Sequence, residues 1–223
     1  MIKDNVLKIK ERLPGNVTIV AVSKNRTIEE IKEAFVAGIT DIGENKIQEA
    51  LSKYNEITRQ RVNETTSQRI KWHMVGHLQT NKVKDAVKIF DLIQSVDSLR
   101  LAQEIDKQAA KIDKIQDVLI EIKTSSEATK FGLKPDEAIE VIKGIGKLKN
   151  VNIKGLMTIA PVVDNPEKAR PYFRLLREIR DKIYELRVTS YELRILSMGM
   201  TDDFEIAIQE GANMVRLGRA IFG

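Results

Sequence analysis

Short apolar runs alternate with amphipathic stretches along almost the whole chain. In the first twelve residues Ile2, Val6, Leu7 and Ile9 are apolar, with Leu13 just beyond, which predicts a short amphipathic helix. Pro14-Gly15 stops it. Val17 to Val22 is an apolar run rich in β-branched residues with no helical period, which predicts a buried strand. Thr27 and Glu30 then have the spacing of a capping box for the next helix.

The same unit recurs. Strands are predicted at 41–44, 71–76, 89–94, 118–122, 151–159, 193–196 and 214–217. Helices are predicted at 47–57, 81–87, 98–112, 136–145, 167–186 and 204–209. Pro135 stands at the start of one helix. Pro171 lies inside another, which must therefore start late or kink. The polar stretch from Arg59 to Arg69 reads as a surface loop rather than a domain boundary.

Strands alternating with helices predict a parallel sheet with right-handed crossovers. Eight such units in 223 residues favour a single closed (β/α)₈ barrel domain spanning 1–223, with one extra helix ahead of it. Chemistry in such barrels sits at the C-terminal ends of the strands. The positions to inspect are therefore Lys24, Asn45, His73 to His77, Ser95 to Asp97, Lys123 and Thr124, Ile159 to Pro161, Ser197 to Thr201, and Gly218 to Ala220.

Lys24 follows the first strand, and alternation puts it on the face of Thr18, Val20 and Val22. A lysine partly desolvated at a barrel mouth offers its amine as a nucleophile. The plainer reading is a surface lysine in a loop. A second feature is a phosphate site. Barrels often bind phosphate with the loops after strands seven and eight. There Ser197 offers a hydroxyl, Gly199 and Gly218 offer open backbone, and Arg219 offers charge.

Composition narrows the picture. The net charge is +5 and the pI about 9.2, yet Lys and Arg are mixed with Asp and Glu along the chain. That reads as solvated helix faces rather than nucleic-acid recognition. The absence of cysteine excludes disulfides, thiolate zinc sites and cysteine nucleophiles. No apolar run reaches the roughly 18 residues of a membrane helix, and Met1 to Asp4 has no signal-peptide character. A soluble, cytoplasmic protein is expected. His73 and His77 are the only histidines and straddle a predicted strand end, so no metal site is expected. His73 is either a neighbour of a cofactor or a satisfied core residue. Asp202 and Asp203 are expected to cap the following helix.

Several segments carry a more specific signal. They are Ala21-Val22-Ser23-Lys24, Gly43-Glu44-Asn45, the run from Trp72 to Lys82, Gly155-Leu156-Met157, Leu196 to Met200 with Asp202-Asp203, Met214 to Gly218, and Ala220 to Gly223. In order and content they resemble the YggS/PROSC family of pyridoxal phosphate homeostasis proteins. That resemblance implies the barrel of the alanine racemase N-terminal domain, with pyridoxal 5′-phosphate held as a Schiff base on Lys24. It implies that Ser197, Gly218 and the backbone of Arg219 hold the phosphate, that Arg216 faces the pyridine nitrogen, and that Asn45 lines the pocket. His73, Met198 and the loop lysine Lys130 are further candidates. A cation at the ring nitrogen disfavours its protonation and weakens the ring as an electron sink.

The Lys24 and phosphate-loop constellation, without a second catalytic domain, is expected to belong to a protein that buffers pyridoxal phosphate, or hands it to apoenzymes that depend on it, without turnover. A pocket this exposed does not demand a partner subunit, so a monomer is expected. The alternative is a small amino-acid racemase. Racemisation needs a base on each face of the substrate carbon. In alanine racemase a second domain supplies one as a tyrosine. No such domain is expected here, and Tyr54, Tyr172, Tyr184 and Tyr191 fall in predicted helices or just before a strand. A Schiff-base aldolase is disfavoured because strand six ends in Thr158-Ile159 without a lysine. Three positions depart from the family pattern. Lys123 stands where Asn is common, Arg219 where Thr or Ser is usual, and Asn25-Arg26 where many relatives place a lysine. Lys123 puts a second amine near the mouth.

Overall fold

A computed structural model describes residues 1–59, 69–125, 127, 131–186 and 192–223. Eight parallel strands close into a barrel in chain order. They are β1 (Thr18–Val22), β2 (Asp41–Glu44), β3 (Lys71–Met74), β4 (Leu92–Val96), β5 (Gln116–Glu121), β6 (Val151–Met157), β7 (Ile195–Ser197) and β8 (Met214–Leu217). β8 pairs with β1, with Val20 opposite Arg216 and Ala21 opposite Leu217.

The helices are α1 (Ile2–Glu11), α2 (Ile28–Val36), α3 (Ile47–Arg59), α4 (Val83–Ile89), α5 (Leu99–Ala110), α6 (Ala138–Ile145), α7 (Arg170–Glu185), α8 (Phe204–Gln209) and α9 (Arg219–Phe222). The Thr27 capping box forms in full. Pro171 falls in the first turn of α7, where its missing N–H costs nothing, so the helix starts late rather than kinking. α1 packs against α2 and α9, and Asn5 Nδ2 donates to Ile221 O at 3.0 Å. The extra N-terminal helix thus fastens the C-terminal one.

Two apolar layers result. Val20, Val75, Leu92, Leu119, Met157 and Met214 fill the barrel interior, with Val22 against them. A larger layer between strands and helices includes Ile31, Phe90, Phe173 and Leu196. The main boundary error is at β4, expected at 89–94 and found at Leu92–Val96. The run Ile89-Phe90-Asp91-Leu92-Ile93 spans a helix end and a strand start, and apolarity alone cannot divide it.

The basic surface is partly structural. Arg170, Arg174 and Arg177 of α7 converge on the buried carboxylate of Glu210, each with a nitrogen within 3.0–3.2 Å. No helix among the described residues is long and apolar enough to cross a membrane.

Candidate functional site

The C-terminal mouth of the barrel begins with the turn after β1. Arg26 N–H donates to Ser23 O at 2.9 Å, which closes a turn with Lys24 and Asn25 at its tip. Asn25 adopts φ 59°, a left-handed conformation that Asn tolerates better than most residues. Lys24 is exposed, so the desolvation expected at the mouth does not hold.

Beside it stand the loops after β7 and β8. Gly199 has φ +92°, and a Cβ there would lie 2.6 Å from Ala207 Cβ, so packing and backbone both demand glycine. Gly218 differs. Its φ is negative, and a Cβ would meet only Val22 O at 3.4 Å and Val22 Cβ at 3.7 Å. Nothing among the described residues crowds out a side chain there. Among the described residues, the N–H groups of Gly218 and Arg219 have no acceptor within the chain.

Under the mouth runs a buried chain of hydrogen bonds. Arg216 Nη1 donates to Ser197 Oγ at 2.6 Å, and Nη2 donates to Thr158 O at 2.8 Å. Ser197 must therefore give its own hydrogen to Gln94 Oε1, at 2.6 Å. The Gln94 amide nitrogen can only donate, and it meets His73 Nδ1 at 2.9 Å. That fixes the proton of His73 on Nε2, which faces Asp41 Oδ1 at 2.9 Å. Burial pulls Arg216 down to about 10, with Glu121 and Asp203 opposing the shift, so it stays a cation at neutral pH. Burial alone would raise Asp41, but its bond to His73 leaves it below its ordinary value.

Across the mouth, Glu121, Lys123, Ser125, His77 and Phe131 line a cavity of about 160 Å³. The His77 and Phe131 rings stack with centroids 3.7 Å apart. Glu121 is 6% exposed. Burial, aided by the Asp97 charge and opposed by Arg216, lifts its carboxyl to about 7. Ser125 Oγ is buried there without a hydrogen-bond partner among the described residues.

The family described as "Alanine racemase, N-terminal domain" matches residues 1–223. A "Pyridoxal phosphate homeostasis protein" of Aquifex aeolicus is 43% identical over 205 residues, covering 92% of this chain and 86% of its own. The chain belongs to the pyridoxal phosphate homeostasis family. PipY of Synechococcus elongatus, solved without and with PLP bound, superposes with TM-scores of 0.90 and 0.89 at 32% identity, each covering both chains in full. An alanine racemase of Clostridium difficile shares the fold at TM-score 0.81 and 18% identity, and the match spans all of this chain and 59% of that one.

In this homeostasis-family chain the expected site residues have the following surroundings. The Ser197 hydroxyl is fully buried and donates to Gln94 Oε1. The Met198 side chain is fully buried in the layer beneath the helices, away from the mouth. His73 has both ring nitrogens engaged and is a satisfied interior residue. The Arg219 guanidinium turns to Asp202 at 2.5 Å, leaving its backbone N–H as the group available to an anion. Asp203 sits at the N-cap of α8, but its carboxylate reaches back to Met200 N–H at 2.6 Å instead of capping the helix. Asn45 is half-buried, its backbone so close to Gly76 that a Cβ there would lie 2.5 Å from Asn45 O. Lys130 and Tyr191 lie outside the described residues.

Sequence reasoning missed Gln94, Glu121, and the Glu44, Glu49 and Lys53 side chains behind Lys24. The one available signal was the Glu49 and Lys53 spacing of four residues on a predicted helix.

Proposed function

We propose that this chain binds pyridoxal 5′-phosphate at the barrel mouth and serves its cellular supply as a cytoplasmic, monomeric carrier without catalytic turnover. The observation that carries the reading is the place of Lys24 in the turn after β1, next to the uncommitted backbone N–H groups of Gly218 and Arg219. Gly218, whose glycine the chain's own packing does not require, lies against Val22, two residues before Lys24.

The residues present fit the group. The unpartnered N–H groups of Gly218 and Arg219 would receive phosphate oxygens. Arg216, a buried cation held by Ser197 and Thr158, would stand at the pyridine nitrogen. Asn45 would line the pocket beside β3. Lys24 would be the covalent anchor. Bound there, pyridoxal phosphate supplies an aldehyde carbon, to which a lysine nitrogen joins with release of one water. Ser197 acts at one remove, by fixing the Arg216 guanidinium. The names of the curated relatives support a role in homeostasis over an assigned reaction. Apoenzymes that use the same cofactor are the partners this reading implies.

The test is the absorbance spectrum of wild type and Lys24→Ala with added pyridoxal phosphate. A visible band in wild type that borohydride removes, and that is absent in the variant, is the expected result. A band that persists in Lys24→Ala overturns the anchor. Steady turnover of an amino acid by the loaded protein overturns the carrier reading.

A further inference from the structure

Behind the turn that presents Lys24 lies a buried group of charges that the cofactor site does not use. Lys53 of α3 is 8% exposed. Its Nζ donates to Ser23 O at 2.5 Å, to Glu44 Oε1 at 2.7 Å and to Glu49 Oε1 at 2.7 Å. All three ammonium hydrogens are thus placed. Ser23 Oγ donates to the same Glu44 oxygen at 2.5 Å, and Asn25 N–H donates to Glu49 Oε1 at 2.6 Å. Both residues flanking Lys24 are therefore fastened to this group, while the Lys24 side chain projects free of it.

The arrangement is costly to bury. Glu44 is fully buried, and burial raises its carboxyl above the ordinary value despite its bonds to Lys53 and Ser23. Its Oε2 has no hydrogen-bond partner among the described residues. Glu49 is held below its ordinary value, because the bonds from Lys53 and Asn25 outweigh its partial burial. A well-packed apolar cluster would serve stability as well or better. What an ion cluster adds is direction. It fixes the carbonyl of the residue before Lys24 and the amide of the residue after it, and it keeps Asn25 in a backbone region that is unfavourable for any residue with a side chain.

We infer that Lys53, with Glu44 and Glu49, is the positioning group that holds the Ser23–Arg26 turn so that the Lys24 amine meets the cofactor's aldehyde. The inference rests on the reading of Lys24 as the anchor. Positioning residues of this kind act on the rate of bond formation, because a small misplacement of the reacting atoms is amplified in rate.

The experiment compares wild type, Glu49→Ala and Glu49→Gln. Glu49 is only partly buried, so its variants are expected to fold, and melting without ligand checks this. Three quantities are read. They are the rate at which the borohydride-fixed label appears on Lys24 with pyridoxal phosphate, the affinity for pyridoxine 5′-phosphate, whose alcohol cannot form the bond, and the melting temperature. Glu49→Ala is expected to slow labelling on the order of 10-fold and leave pyridoxine phosphate affinity within about two-fold. Glu49→Gln, which keeps an acceptor for Asn25 N–H, is expected to restore most of the rate. An unchanged labelling rate in folded Glu49→Ala overturns the inference. So does a parallel fall of labelling, pyridoxine phosphate affinity and melting temperature, which is what structural support alone would give. A wild-type label on another lysine overturns both this inference and the anchor reading. A label on Lys24 that does not respond to Glu49 overturns the positioning role alone.

Discussion

Arg216 and Asp41 stand at opposite ends of one run of hydrogen bonds in which every donor points the same way. The guanidinium donates to Ser197, Ser197 to Gln94, Gln94 to His73, and His73 to the carboxylate. A cation near the mouth and an anion at the start of β2 thus polarise a shared chain through a low-dielectric interior, where aligned bonds reinforce one another.

Cutting that chain in the middle is expected to be expensive. Gln94→Leu strands the Ser197 hydroxyl and His73 Nδ1 in a fully buried setting. The expected loss is roughly 2–4 kcal/mol, from a buried hydroxyl hydrogen without an acceptor and a buried ring nitrogen without a donor. Urea unfolding of the variant beside wild type reads it directly, and a loss below 1 kcal/mol would mean that the two groups find new partners.

Glu121 predicts a pH dependence with a definite sign. Its carboxyl titrates near 7 in the folded chain against an ordinary 4.5, so the folded state holds the proton more tightly. The stability it contributes is full below about 4.5 and is lost as pH rises through 7. Glu121→Gln removes this dependence. At pH 8 the variant should exceed wild type by on the order of 3 kcal/mol, and at pH 4.5 the gap should close. Denaturation midpoints measured at both pH values check it.

The two glycines of the loops after β7 and β8 should separate. Gly199→Ala forces a Cβ into Ala207 at a left-handed backbone position and should cost on the order of 1–3 kcal/mol of stability. Gly218→Ala should leave stability within about 0.5 kcal/mol, because the added methyl meets only ordinary contacts in the chain. Its effect should fall instead on affinity for pyridoxine 5′-phosphate. Equal melting losses in the two variants would count against a ligand role for Gly218.

Lys123 offers the competing amine. It lines the cavity on the β5 side of the mouth, whereas the Gly218 cradle borders β1. Lys123→Ala is expected to keep full borohydride-fixed labelling on Lys24, as read by peptide mass. Loss of label in that variant would transfer the anchor.

Much of the barrel could be read from the chain because its strands are short apolar runs set between amphipathic helices. Thr27 with Glu30, and Pro171 at a helix start, behaved as local chemistry requires. The interior polar run was illegible for a physical reason. Asp41, His73, Gln94, Ser197 and Arg216 come from five strands, and a polar residue in a strand reads the same whether it faces the axis or the helices until the register is known. Ser197 shows the consequence. Its motif pointed to the mouth, and its hydroxyl turned inward to a partner on β4. The turn after β1 that carries Lys24 could be placed from the apolar run before it, but the Lys53 bonds to Ser23, Glu44 and Glu49 behind that turn needed α3 packed in place.

The closing link of the interior run has a bearing on how the protein comes off the ribosome. Four of its five side chains emerge before Arg216, and β1 waits unpaired on one edge until β8 arrives. A nascent chain lacking β8 must either bury Ser197 without the guanidinium it accepts from, or leave the barrel open. Stable closure is therefore deferred until synthesis has passed Leu217, and partly made chains expose an unpaired strand edge, the kind of surface that chaperones shield.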